Sequence, residues 1–138
     1  MIKVVLFDVG NVLVRLSGAQ FKLYKLADKI KSNGIRISIL SNVFFVGGWF
    51  LRWLHLYKGF SPVVLSYQEG VRKPDLRIYQ ITMERLGVKP EEVVFIDNLA
   101  ENLAPARQLG IHTIHCTSTK QAIKELTELL NRENNLQL

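Results

Sequence analysis

Lys3-Val4-Val5-Leu6-Phe7-Asp8-Val9-Gly10-Asn11-Val12-Leu13-Val14 is the stretch on which the reading of this chain turns. Val4–Phe7 is continuously apolar rather than alternating, the pattern of a strand buried on both faces. The run stops at a carboxylate, Asp8, and Gly10-Asn11 follow with the composition of a tight turn. Open α/β sheets bind ligands beyond the carboxyl ends of their parallel strands. Asp8 therefore falls where such a sheet does its chemistry; its plainer alternative is a cap on a turn or on the next helix.

Working outward, the same pattern recurs. An apolar stripe of Phe21, Leu23, Tyr24, Leu26, Ala27 and Ile30, with lysines between, predicts a helix over Ser17–Ser32, ended by Asn33-Gly34. Ile35–Leu40 reads as a second strand and stops at Ser41-Asn42. Pro62–Ser66 gives a third, after which Glu69–Asp75 is a polar loop. Pro74 and Asp75 suit the start of a helix closed by Gly87. Glu92–Ile96 is a fourth strand, ending in Asp97. A helix over Glu101–Leu109, ended by Gly110, leads to a fifth strand, Ile111–His115. Ser118 or Thr119 caps a last helix to about Leu130, leaving 131–138 as a polar tail expected to fray. Strands alternating with helices imply parallel pairing with right-handed crossovers. The expected fold is thus α/β, a three-layer Rossmann-like arrangement of about five mostly parallel strands flanked by helices, in one domain over residues 1–138.

Val43–Phe60 stands apart. It holds Phe44, Phe45, Trp49, Phe50, Leu51, Trp53, Leu54, Leu56 and Tyr57, with a predicted break at Gly47-Gly48 and a helix from about Trp49 to Tyr57. A helix apolar nearly all round needs cover on more than one side. Phe44–Tyr57 reads equally as core and as an exposed patch that meets a partner, a second copy of the chain included.

Composition narrows the function classes. The 138 residues are 48% hydrophobic and 22% charged, as in ordinary globular domains. The single cysteine, Cys116, forbids an intrachain disulfide and fits a reducing, cytoplasmic location. The first apolar run is too short for a signal peptide and carries Asp8, and no stretch has the roughly 20 apolar residues of a membrane span. The net charge of +6 raises the question of nucleic acid, but the lysines and arginines are dispersed and no nucleic-acid-binding motif is present. Neither nucleic acid nor membrane is an expected partner.

Because parallel strands end on one edge, Asp8, Ser41-Asn42 and Asp97 should converge there, with Lys73 arriving from a loop. Two carboxylates repel and call for a cation, and oxygen-only ligands suit magnesium. The lysine can balance an anionic substrate. Such a set suits attack by a carboxylate on phosphorus.

With these residues placed, the chain resembles the haloacid dehalogenase-like (HAD) superfamily of hydrolases. Phe7-Asp8-Val9-Gly10-Asn11-Val12-Leu13 resembles the first motif, Leu40-Ser41-Asn42 the second, Lys73-Pro74-Asp75 the third and Phe95-Ile96-Asp97-Asn98 the fourth, all in order. The resemblance implies a magnesium-dependent phosphatase acting through an aspartyl-phosphate on a phosphorylated small molecule or a phosphoprotein. It makes Asp8 the nucleophile. Asp8, the Gly10 carbonyl and Asp97 would hold Mg2+; Ser41 and the backbone of Asn42 would bind the phosphoryl group, and Lys73 would offset its charge. Asn11 could orient a water, while Asn98, Glu101 and Asn102 would complete the metal's surroundings.

Three departures matter. Many phosphatases of this family carry a second Asp two positions after the nucleophile, where this chain has Gly10, so the acid that protonates the leaving oxygen is missing, a loss typically of about 10²–10⁴-fold. The fourth motif has Asn98 where a second acid is common. Relatives with this first motif usually insert a cap domain between motifs one and two, whereas Val14 to Ile35 holds room for one helix, so a cap-less, open site is expected. These departures keep two alternatives: a catalytically weak or inactive interaction module, and carbon–halogen hydrolysis by the same carboxylate.

Overall fold

The computed structural model describes residues 1–138, save for the surroundings of Gly48. Five parallel strands form the central sheet: β1 (Val4–Phe7), β4 (Arg36–Ser41), β5 (Val63–Leu65), β6 (Val93–Asp97) and β7 (His112–His115). Their spatial order is β5-β4-β1-β6-β7. The chain builds outward from β1 to β5 on one side, then returns to lay β6 along β1's other edge. The reversal puts a topological switch point between β1 and β6. Phe7 pairs with Ile39 on one neighbour and Ile96 on the other. Asp8 therefore stands one residue past the sheet, beside Leu40-Ser41 and level with Asp97.

The period of two along each strand divides the core. Val5, Phe7, Ile37, Ile39, Val94 and Ile96 face one way, packing on α1 (Phe21–Ser32) and α6 (Thr119–Asn134) through Leu23, Ile30, Leu126 and Leu130. Val4, Leu6, Leu40, Val93 and Phe95 face the other, against α4 (Leu76–Leu86) and α5 (Ala100–Leu109) through Ile78, Tyr79, Leu103 and Ala106. All four β1 side chains are buried, as a continuous apolar run requires. The expected three-layer α/β fold is the one formed.

Helix ends follow local chemistry. The Asp75 side chain accepts from Arg77 N to start α4, and Gly87, in the left-handed region, closes it. Ser118 caps α6 through a reciprocal pair with Gln121. That helix runs past the expected end near Leu130 to Asn134, so the tail is not frayed there. The Asn134 amide holds Ile2 from both sides, accepting from its N–H and donating to its carbonyl at 2.8 Å each.

Three expectations are corrected near the site. The helix predicted over Ser17–Ser32 begins only at Phe21, because 14–19 form a small antiparallel hairpin, β2 (Val14–Arg15) and β3 (Gly18–Ala19), with Gly18 at φ +108°. Strands of two residues carry no legible period. The aromatic helix, α2, spans Phe45–Trp53 rather than Trp49 to Tyr57. Glycine weakens a helix by only about 1 kcal/mol, too little to stop it at Gly47. The helix closes instead before His55, whose φ is +58°. Of the two readings of this segment, α2 takes the exposed one: Phe44 keeps 82% of its surface, Phe45 66% and Trp53 63%. Tyr57, beyond the helix, is buried. A four-residue helix, α3 (Ser66–Glu69), lies inside the span expected as strand and loop.

Candidate active site

The site grows from the ends of β1, β4 and β6. The Asp8 N–H donates to Ile96 O at 2.9 Å, prolonging the β1–β6 ladder by one bond and fixing where the carboxylate leaves the sheet. Its Oδ1 accepts from Val9 N at 2.8 Å. The chain then turns back through Val12 N to Val9 O and Val14 N to Val9 O. Asn11 occupies the left-handed position of this turn, at φ +59°, a conformation Asn tolerates. Gly10 is exposed beside Asp8.

Lys73 reaches the same point from the loop before α4 and is 2% exposed. Its ammonium lies 3.0 Å from Asp8 Oδ1 and 2.7 Å from Asp97 Oδ2, and donates to Leu40 O at 3.0 Å. All three protons are thus placed. The Phe95 ring lies beneath it, 5.2 Å to the centroid. Asn42 fixes the lysine's backbone, accepting from Lys73 N at 2.8 Å and donating to Lys73 O at 2.9 Å. The Asn42 side chain is therefore a clamp on Lys73, leaving only its backbone to face a substrate. Nothing in the sequence signals this link, which spans 31 residues.

Asp97 is fully buried. Oδ1 accepts from Leu99 N at 2.9 Å, and the Asn102 amide lies 3.3 and 3.2 Å from the two carboxylate oxygens. Asn102 is held in turn by Tyr79, whose hydroxyl donates to its carbonyl. Ser41, at the end of β4, is 2% exposed. Asp8, Lys73, Asp97 and Asn102 thus form one connected buried set, with Ser41 at the end of the neighbouring strand. Asn98 is half-buried at the mouth, one end of its amide 3.3 Å from Asp8 Oδ2 and 3.3 Å from Gly10 O. Glu101 is exposed on the first turn of α5 and makes no bond to the site among the described residues.

Two carboxylates share one ammonium here, so the buried set carries one excess negative charge. Burial pushes Asp8 up to about 6, against the pull of Lys73 and with the push of Asp97. The excess charge, the Oδ2 edge of Asp8 and the Gly10 carbonyl make an oxygen-rich mouth that fits a hard divalent cation such as magnesium. Among the described residues no three His, Cys, Asp or Glu side chains converge, so a site of the zinc kind is not built. A side-chain Cβ on Gly10 would meet nothing within 4 Å. Cys116 is buried and its thiol pushed up by that burial, which suits packing and not nucleophilic attack.

A family model described as haloacid dehalogenase-like hydrolase matches residues 21–110, a span that holds Ser41, Lys73 and Asp97. Acyl-CoA dehydrogenase family member 10 of Mus musculus is 41% identical over 104 residues, covering 74% of this chain and 10% of that protein. Glyceraldehyde 3-phosphate phosphatase of Methanocaldococcus jannaschii is 27% identical over 112 residues, covering 80% of this chain and 49% of that protein. The chain thus spans half or less of the length of these relatives. In fold it is similar to a HAD family enzyme of Bacteroides thetaiotaomicron, crystallised with magnesium and inorganic phosphate, at a TM-score of 0.74 and 18% identity, covering 83% of this chain and 93% of that one.

Proposed function

This chain belongs to the haloacid dehalogenase-like hydrolase family, and from that membership we propose that it is a magnesium-dependent phosphatase acting through Asp8. The observation that carries the reading is the buried Asp8–Lys73–Asp97 set at the switch point, at 3.0 and 2.7 Å, one positive charge short of neutral.

In this reading residues 1–138 work as one hydrolase core. An Asp8 oxygen attacks phosphorus; the new O–P bond forms as the ester O–P bond breaks, giving an aspartyl-phosphate and an alkoxide. With glycine at position 10, the alkoxide takes its proton from water or from the substrate itself. Water then attacks the same phosphorus, inorganic phosphate leaves and the Asp8 carboxylate is regenerated. Ser41 and the Asn42 N–H hold phosphoryl oxygens. Lys73, fixed from behind by Asn42 and Asp97, presents charge without having to reorganise. Asp8 and the Gly10 carbonyl, with the charge of Asp97 behind them, would hold magnesium, which when bound neutralises the phosphoryl oxygens. Burial keeps the nucleophile poorly solvated, and Lys73 keeps it ionised.

A small phosphorylated molecule is favoured over a phosphoprotein, since phosphatases of such molecules are among the relatives. A cytoplasmic location belongs to the same reading, and among the described residues no helix is long and apolar enough to cross a membrane.

A panel of phosphate monoesters, assayed with magnesium and with a chelator, tests the reading. Turnover that needs magnesium and disappears in Asp8→Asn is expected. Turnover that survives Asp8→Asn would overturn the assignment of the nucleophile, and turnover of haloacids without magnesium would replace phosphate chemistry with carbon–halogen hydrolysis.

A further inference from the structure

One exposed apolar face adjoins the site. Past Asn42, whose backbone faces the substrate, the chain runs through Val43 and Phe44 directly into α2. A small cleft lined by Asn42, Val43, Phe44, Ser66 and Arg72 marks this junction, touching the site at Asn42 and the foot of the helix at Phe44. Arg72, next to Lys73, is exposed there and has no ion pair among the described residues. Along α2, Phe45, Trp49 and Trp53 recur every fourth residue and so lie in one stripe, about 12 Å long. Val46, Phe50 and Leu54 make a second stripe beside it, and all six are exposed. A contiguous exposed apolar patch marks a binding surface. Its surroundings select the ligand. No acid stands between Asp28 and Glu69, a stretch that carries Lys29, Lys31, Arg36, Arg52 and Lys58, and Glu69 itself is paired with Arg85 at 2.6 Å. A ligand spanning the junction is therefore drawn in by negative charge at one end and must be apolar along the helix. Two copies meeting through this face would set like charges against each other.

We propose that α2 is the apolar wall of a site for an amphiphilic phosphate monoester. Its phosphoryl group sits at Asp8 and the Asn42 N–H, and its single apolar chain crosses the cleft to lie along Phe45, Trp49 and Trp53. This rests on the phosphatase reading and names its substrate class. With one side on the rings and the other in water, the chain is half covered, so affinity grows with its length at roughly half the rate of full burial. Arg72, at the lip of the cleft, adds a charge-assisted contact to the phosphoryl end. Such a ligand accounts for rings that the folded chain leaves uncovered.

The test titrates alkylphosphonates, whose carbon–phosphorus bond resists this hydrolysis, into the full chain with magnesium, below their micelle concentrations. Calorimetry gives the affinity. Emission from Trp49 and Trp53, the chain's two tryptophans, reports where the alkyl group lies. Octylphosphonate should bind at least about tenfold more tightly than butylphosphonate, each half-covered methylene being worth about twofold. It should also shift the emission to the blue, which octanol at the same concentration should not do. With both Trp49→Ser and Trp53→Ser, the advantage of octyl over butyl should fall to about threefold or less while butylphosphonate affinity stays the same; thermal unfolding confirms that this variant is folded. Equal affinity for butyl- and octylphosphonate in the wild type, with phosphate monoesters still turned over, would overturn this inference and leave the phosphatase reading intact. A blue shift as large with octanol or phosphatidylcholine vesicles would make α2 a phosphate-independent apolar surface and overturn it too, as would a dimer in sedimentation velocity that the two substitutions dissolve. No binding by any phosphonate, together with no turnover of any monoester, would remove both readings.

Discussion

The ends of β1 and β6 and the surface of α2 sit on the same carboxyl edge of the sheet yet invert the usual rule of burial. At the first, Asp8, Lys73, Asp97 and Asn102 are 7%, 2%, 0% and 4% exposed. At the second, Phe45, Trp49 and Trp53 are 66%, 58% and 63% exposed. The difference lies in partners rather than in hydropathy. Every charge at the strand ends has a bonded counterpart within 3.0 Å, and paired charges tolerate burial. The α2 rings have few: Phe50 stacks on Trp53 and Phe45 meets Tyr67 edge-on, but neither pair roofs the helix. One region stores its energy in a few irreplaceable bonds; the other contributes little to the fold of the chain.

The contrast can be pressed hardest at Asp8. Asp8→Asn should lower phosphatase turnover by about 10⁴-fold or more, the scale for losing a nucleophile, measured by phosphate release. Lys73→Met comes next. It leaves two buried carboxylates facing each other and should cost about 3–5 kcal/mol of stability by urea unfolding. Gly10→Asp is expected to raise turnover, by about 10-fold and at most about 10²–10⁴-fold, because the position has space for a side chain and lacks only the acid; kcat of the variant checks it.

Burial has a pH signature at the same carboxylate. The folded state holds the Asp8 proton up to about pH 6, above the ordinary value of 3.8. Between those values the folded chain binds more protons than the unfolded one, so stability falls as pH rises through the window and levels off above it. Asp8→Asn removes that slope. The cation-free variant should therefore exceed the wild type at pH 7 by on the order of 2 kcal/mol, a difference that vanishes near pH 4, in urea midpoints at the two pH values. The smallest effect belongs to the other region: Trp49→Ser should change stability by no more than about 0.5 kcal/mol. A loss of 2 kcal/mol there would mean the ring is packed and the contrast is wrong.

The parts legible in the sequence are those where pattern and burial coincide. Val4–Phe7 and Val93–Ile96 announce strands buried on both sides, and the acids that end them announce the site. Asn42 illustrates the limit. As a residue after a strand it invites a substrate-binding role, yet its side chain is spent on the backbone of Lys73, a pairing that only the fold creates. Asp97 and Asn98 show the same limit at closer range. Asp97 ends β6 and Asn98 follows it, and only the three-dimensional arrangement shows that one is saturated by Lys73, Leu99 and Asn102 while its neighbour faces the mouth. For α2, an all-apolar segment has no polar face to say which side is covered, so periodicity could not choose between core and surface.

Fluorine NMR of the protein with beryllofluoride and magnesium probes the central claim at its reacting atom, since fluoroberyllate caps a nucleophilic carboxylate in place of a phosphoryl group. The wild type should give bound fluorine resonances that need magnesium, and Asp8→Asn should give none. Bound resonances of equal strength in Asp8→Asn, or their absence from folded wild type saturated with magnesium, would contradict a phosphoryl-accepting Asp8.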